Sequence, residues 1–136
     1  MLEKCYSIQN LQPVNDSDKG RRIWEVLADS YLFAQVTIMS RRKGELFGGH
    51  FHKGGDPSKN SEVIVFLSGR VRIKFTTKEG ETYLETVDAT KGPVEVVIEP
   101  WVLHELEAKE NVWYIEPRPT RFNSDQPDTF PASEFV

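Results

Sequence analysis

The 136-residue chain has three histidines, and two of them, His50 and His52, stand one residue apart in the stretch GELFGGHFHK. After nine intervening residues a lone carboxylate, Glu62, heads the otherwise apolar run EVIVFL. The third histidine, His104, sits in EPWVLHELEA, among Trp101, Val102, Leu103 and Leu106. Neutral imidazoles and carboxylates are the donors that divalent transition metals take, and such a set leaves coordination positions open for water or substrate. A carboxylate on an apolar face is costly unless it is paired or metal-bound. Two other readings use the same residues: a metal-free pocket in which histidine and acid move protons, and a polar cluster that only satisfies itself.

Positioning these groups is a task for strands. Alternate strand residues share a face, so His50 and His52 point one way and Phe51 the other. Glu62 shares its face with Ile64 and Phe66, which turns it toward a core. Residues 31–39 (YLFAQVTIM) are rich in β-branched and aromatic side chains. VIVFL is apolar on both faces and calls for cover on both. RVRIKF alternates strictly, with Val71, Ile73 and Phe75 on one side and Arg70, Arg72 and Lys74 on the other, as in a half-buried antiparallel strand. KEGE supplies the glycine of a hairpin turn, and ETYLETV is the returning strand. VEVVI and VWYIE follow further turn signals. Residues 19–28 (KGRRIWEVLA) are the one stretch suited to a helix, and a short one. Short strands at this spacing predict a sandwich or barrel. The expected architecture is all-β: one domain over residues 1–136, a barrel over about 30–117 and an irregular proline-rich tail over 117–136.

With these residues in place, the chain resembles a cupin. The first cupin motif runs Gly, five residues, His-x-His, a spacer, Glu, six residues, Gly, and is matched by Gly44, His50, His52, Glu62 and Gly69. The nine-residue spacer is longer than the usual three or four, which lengthens a loop. The second motif is matched by Pro100 and His104; Trp101 stands where glycine is common, and the trailing asparagine is missing. The resemblance implies a single jelly-roll β-barrel and one divalent transition metal (Zn, Mn, Fe or Ni) held by His50, His52, Glu62 and His104. Further resemblances point to carbohydrates. GELFGGHFHK is similar to the cupin-type phosphoglucose isomerases. RFNSDQPDTF, residues 121–130, resembles the cupin domain tail of capsular-polysaccharide nucleotide-sugar enzymes. EPWVLHELEAKENVWYIE resembles small cupins encoded with surface-polysaccharide genes.

The function expected from these resemblances is that of an isomerase or epimerase acting on a small carbohydrate, sugar phosphate or nucleotide sugar. Such chemistry needs a base that is not a metal ligand. Glu99, Glu105, Tyr31 and Tyr114 are the candidates, with Glu99 and Tyr114 placed first. Lys53, directly after the histidine pair, is a third catalytic candidate, and with Arg118 or Arg121 could hold a phosphate. Read singly, the glutamates are solvated strand faces and the cations are loop and tail residues in water. The alternatives are an iron-dependent dioxygenase, in which iron, substrate and dioxygen share the site, and a non-catalytic module that senses or carries a small ligand.

Composition limits the partners. Seventeen basic residues face 21 acidic ones, for a net charge of -4, and no basic block stands out beyond Arg41–Lys43. This disfavours a nucleic-acid partner, which needs a concentrated positive patch. No apolar run reaches the roughly 18 residues of a membrane span, and MLEKCYSIQN has no signal-peptide core. Cys5 is the single cysteine, so no internal disulfide forms, in keeping with a cytoplasmic location. A homodimer is expected, since an open jelly roll leaves a sheet surface in need of cover.

Overall fold

The structure, a computed structural model, describes residues 2–16, 22–24 and 34–135. Twelve strands run in chain order: β1 Tyr6–Asn10, β2 Asn15–Asp16, β3 Arg22–Ile23, β4 Gln35–Arg41, β5 Leu46–Phe51, β6 Glu62–Ser68, β7 Arg70–Thr76, β8 Thr82–Asp88, β9 Val94–Ile98, β10 Leu103–Ala108, β11 Val112–Arg118 and β12 Phe130–Pro131. One antiparallel sheet has the order β1-β9-β6-β11-β4, and the other β12-β5-β10-β7-β8; β2 and β3 pair separately. The two five-stranded sheets make the jelly-roll barrel expected from the cupin resemblance.

Alternation builds the core. Along β7, Val71, Ile73 and Phe75 are buried while Arg70, Arg72 and Lys74 are exposed. Glu62, Ile64 and Phe66 of β6 are all buried, and they meet Val94, Val96 and Ile98 of β9 across the ladder. Tyr6 of β1 stacks on Phe75 with ring centroids 4.0 Å apart, tying one sheet to the other. The β7–β8 hairpin turns at Gly80, whose φ is +87°.

Two expectations need correcting, and a third falls partly outside the described residues. The helix over residues 19–28 lies mostly outside the described residues, and Arg22–Ile23 within it pair as a strand with Asn15–Asp16. The first part of the strand over 31–39 is likewise outside them; β4 begins at Gln35. The tail is not wholly irregular: Phe130–Pro131 add an edge strand to β5, followed by a 3-10 turn at Ala132–Glu134. Its apolar rings decide this, because Phe130 and Phe135 both pack on the fully buried Phe51.

Candidate metal centre and cavity

The two sheets deliver the site from opposite sides. His50 on β5 and His104 on β10 are direct ladder partners, and the register slips immediately after them, so that Glu105 pairs with Gly48 and Gly49 is left without a partner. Gly48 and Gly49 have φ of +71° and +70°, a region open to glycine at little cost. This bulge bends β5 just before His50 and aims its ring inward. A side chain at Gly48 would meet Leu106 Cδ1 at 2.6 Å and the His104 carbonyl oxygen at 2.8 Å. Gly48→Ala is therefore expected to cost roughly 2–4 kcal/mol, as a left-handed residue and an overpacked contact together. A denaturation midpoint equal to that of the parent chain would contradict this.

His52 lies just past β5. Its Nδ1 is 2.6 Å from the backbone carbonyl of Asp128. That of His104 is 3.0 Å from the carbonyl of Val102. Carbonyls only accept, so each Nδ1 carries the proton and each neutral ring keeps its lone pair on Nε2. Both Nε2 atoms are buried without a hydrogen bond. The Nε2 of His52 is 2.8 Å from Glu62 Oε2, and that of His104 is 3.5 Å from Glu62 Oε1. Lone pairs set against a carboxylate repel unless positive charge lies among them. One nitrogen from each of His50, His52 and His104 falls within 4.8 Å of the others, so the three rings fit a common cation. The outer-shell pattern of a metal-binding histidine, one nitrogen free and the other donating to a carbonyl, is met twice.

Asp128 does more than supply that carbonyl. Its carboxylate accepts N–H bonds from Lys53, Gly54 and Asp56 at 2.9, 2.8 and 3.1 Å. The tail thus fixes both the loop after His52 and the ring itself. Asp128→Ala keeps the carbonyl that receives the His52 Nδ1–H but loses the three bonds that hold it there, and is expected to weaken metal binding toward the lower end of the roughly 10–100-fold that follows outright loss of an outer-shell partner. Chelator competition measures it, and an unchanged dissociation constant would refute it.

Glu62 is 2% exposed and has a second partner, Lys59, whose Nζ is 2.6 Å from Oε2. The same ammonium lies 3.4 Å from Glu116 Oε2. Burial alone would raise the Glu62 carboxyl, but positive charge beside it, on Lys59 and among the His52 and His104 rings, outweighs that and holds the group well below the ordinary range. Burial, followed by the Glu62 charge, pushes Glu116 the other way, up. Burial would lower Lys59, yet the two carboxylates prevail and keep it protonated above its ordinary value. His50 is lowered to about 4 by burial and then by the neighbouring His104 and His52 rings. His50 and His104, the latter also lowered chiefly by burial, are thus neutral imidazoles beside an ionised carboxylate.

These groups open on a cavity of about 100 Å³ lined by His50, His104, Glu62, Glu116, Tyr114 and Arg41, with apolar walls from Met39, Phe47, Ile64 and Leu106. Tyr114 is the one first-choice catalytic candidate brought to it. Its hydroxyl accepts a bond from Arg41 Nε at 3.2 Å. Glu99 is elsewhere, bound to the Leu2 N–H and the Ser61 hydroxyl. Lys53 lies over the rings of Phe130 and Trp101, at 4.0 and 5.4 Å from their centroids. Glu105 and Arg121 are exposed, Arg118 is buried against Asp56 at 2.7 Å, and Tyr31 lies outside the described residues. Trp101 has a φ of +62°, the left-handed backbone that makes glycine common at its place in the motif. Its N–H donates to the His52 carbonyl at 2.7 Å.

Glu116 and Arg41, which line the cavity, and Lys59, buried between its two carboxylates, are the groups that sequence reasoning missed. Glu116 had a signal, since it stands two residues after Tyr114 and shares its face. Lys59 had none, being placed by the fold of the long spacer loop.

No protein-family model and no curated protein matches the chain. Solved structures do. CapF, a capsular polysaccharide assembling protein from Staphylococcus aureus, is similar at 25% identity and a TM-score of 0.59, over 71% of this chain and 26% of CapF. The chain thus spans about a quarter of CapF's length. QdtA from Thermoanaerobacterium thermosaccharolyticum, a sugar 3,4-ketoisomerase solved with TDP, gives a TM-score of 0.67 at 15% identity, covering 95% of this chain and 89% of QdtA. WlaRA, the TDP-fucose-3,4-ketoisomerase of Campylobacter jejuni, gives 0.66 at 13% identity over 92% and 87%. With the two ketoisomerases the likeness is one of fold: this chain has the barrel on which such enzymes are built.

Proposed function

We propose that this chain is a divalent-metal-binding sugar isomerase or epimerase, with His50, His52 and His104 holding the cation beside Glu62. The observation that carries the metal is the pair of buried, unbonded Nε2 atoms converging on a carboxylate. Support for the carbohydrate comes from the proteins that share the barrel, which are described as acting on nucleotide-linked sugars or assembling capsular polysaccharide. When bound, a divalent cation supplies Lewis-acid polarisation of a carbonyl and its neighbouring hydroxyl.

The chain's own residues do the rest. The cavity is too small to enclose a nucleotide sugar, so it takes the reacting end and leaves the remainder at the mouth. Arg41 is the one cationic side chain lining it. The Phe47 ring braces its guanidinium at 4.9 Å, and its one hydrogen bond goes to the neutral Tyr114 hydroxyl. A guanidinium with free donors at a cavity rim suits a phosphate oxygen. The phosphate role considered for Lys53, Arg118 and Arg121 therefore passes to Arg41.

The homodimer and the single domain remain part of this reading. Val36, Ile38, Leu67 and Trp113 stand exposed on β4, β6 and β11 of one sheet, an apolar surface that a second copy would cover. Among the described residues no helix is long and apolar enough to cross a membrane.

The test is metal-dependent exchange of a carbon-bound proton in deuterium oxide. The panel comprises hexose phosphates and TDP-4-keto-6-deoxyglucose, the sugar held by a QdtA variant. Exchange that stops on chelation and returns with metal supports the reading. Substrate-dependent oxygen uptake by the iron-loaded protein, with no exchange, would replace it with the oxygenase.

A further inference from the structure

We infer that Glu116 is the catalytic residue that takes and returns the proton; this rests on the isomerase reading above and names its base. Glu116 lies on β11, lines the same cavity as His50, His104 and Glu62, and is not one of the clustered histidines' direct partners. The cavity has two carboxyl groups, and their surroundings drive them apart. Glu62 lies 2.8 Å from the His52 ring and 2.6 Å from the Lys59 ammonium, whereas Glu116 has the more distant Lys59 contact of 3.4 Å. Glu62 is thus taken up by its close buried partners, while burial, then the Glu62 charge, raises the Glu116 carboxyl above its ordinary value. Such a divergent pair is the pattern of an electrostatic group beside an acid–base group. The charged and titratable groups around Glu116 are Lys59, Glu62 and His52, with Tyr114 and Arg41 along the same wall.

Of the other candidates, the two glutamates fail on geometry. Glu99 is tied to Leu2 and Ser61 away from the cavity, and Glu105 faces solvent. The Tyr114 hydroxyl is raised by burial, which makes its phenolate scarce near neutrality.

The step is redox-neutral. The C–H bond of the hydroxyl-bearing carbon breaks, and its proton passes to the Glu116 carboxylate. The bonding pair forms the C=C of an enediolate as the carbonyl π pair moves onto oxygen. The hydroxyl proton shifts between the two oxygens, and Glu116 returns its proton to the former carbonyl carbon. Carbonyl and hydroxyl have exchanged places, and no oxidant or reductant is needed.

Glu116→Gln keeps size and loses basicity. On the panel above, in metal-loaded protein, it is expected to lower the proton-exchange rate about 10²–10⁴-fold, with metal content and KM essentially unchanged. Glu116→Asp should recover part of the rate, and the acid limb of the parent pH profile should be absent from the Gln variant. An infrared titration of the unliganded chain gives an independent readout. It should show a protonated carboxyl band persisting above the ordinary glutamate range, missing from Glu116→Gln or, if that variant does not fold, shifted in Glu116→Asp. An active Glu116→Gln, or no such band, overturns this assignment alone. A parent chain silent across the whole panel overturns the isomerase reading and this assignment with it.

Discussion

Replacing His104 with alanine is expected to empty the metal centre. The parent chain, purified untagged and without chelator, should have about one transition metal per chain, the stoichiometry of a single histidine-ligated site; the variant should have almost none. The effect should exceed the roughly 10–100-fold that follows loss of an outer-shell partner, because a donor itself is removed. His104 is 1% exposed, and its Nε2 is buried without a bond. Thermal shift gives a second reading. A ligand at a hundred times its dissociation constant stabilises a fold by about 2.7 kcal/mol, and His104→Ala should forfeit that increment while apo proteins are compared separately. Metal identity then sorts the chemistry, with iron favouring the oxygenase and zinc, manganese or nickel the isomerase. Equal metal in both proteins, or none in either after reloading, would remove the metal from the proposal.

Lys59→Met is expected to be the most destabilising single change near the site, at about 3–5 kcal/mol, the range for removing one partner of a buried ion pair. Lys59 is 9% exposed, and it is the positive charge between Glu62 and Glu116. Without it two carboxyl groups share a buried pocket, one of them held ionised. An exposed pair would be worth only about 0–1 kcal/mol, so the measurement separates the two cases. Two further outcomes follow from the same electrostatics. Adding Glu62→Gln to the variant should restore much of the loss, because it removes the charge left alone. Divalent metal should stabilise Lys59→Met more than it stabilises the parent, since a cation at the histidines then has Glu62 to itself. A loss below about 0.5 kcal/mol in chemical denaturation would show that the pocket is wetter and the pair weaker than its burial implies.

Local pattern was enough for the parts of this molecule that repeat over a few residues. The alternation of RVRIKF gave β7 its buried and exposed faces. His50-x-His52 gave two rings on one side, and Glu62 on the face of Ile64 and Phe66 gave a carboxylate pointing inward. What stayed hidden depends on which strands become neighbours. Glu116 looks like any strand glutamate until β6 and β11 are paired and its side chain meets Lys59. Lys53 follows the histidines directly, yet its direction is set by Phe130, seventy-seven residues later, which no spacing rule reaches. Arg118 was a plausible phosphate ligand as a tail residue, and became a structural ion pair once Asp56 in the spacer loop lay against it. The proline-rich tail was read as irregular because prolines remove ladder donors. It is anchored all the same, since an edge strand at Phe130–Pro131 needs few of them.

The bond between His52 and the Asp128 carbonyl also makes the competence of the site depend on an edge strand. His52 and Asp128 stand seventy-six residues apart and meet where the tail lies along β5. Edge segments open locally at a lower cost than the whole fold. A barrel cut upstream of Asp128 should therefore still fold but acquire its ion poorly, and local release of β12 should loosen the ion before the barrel melts.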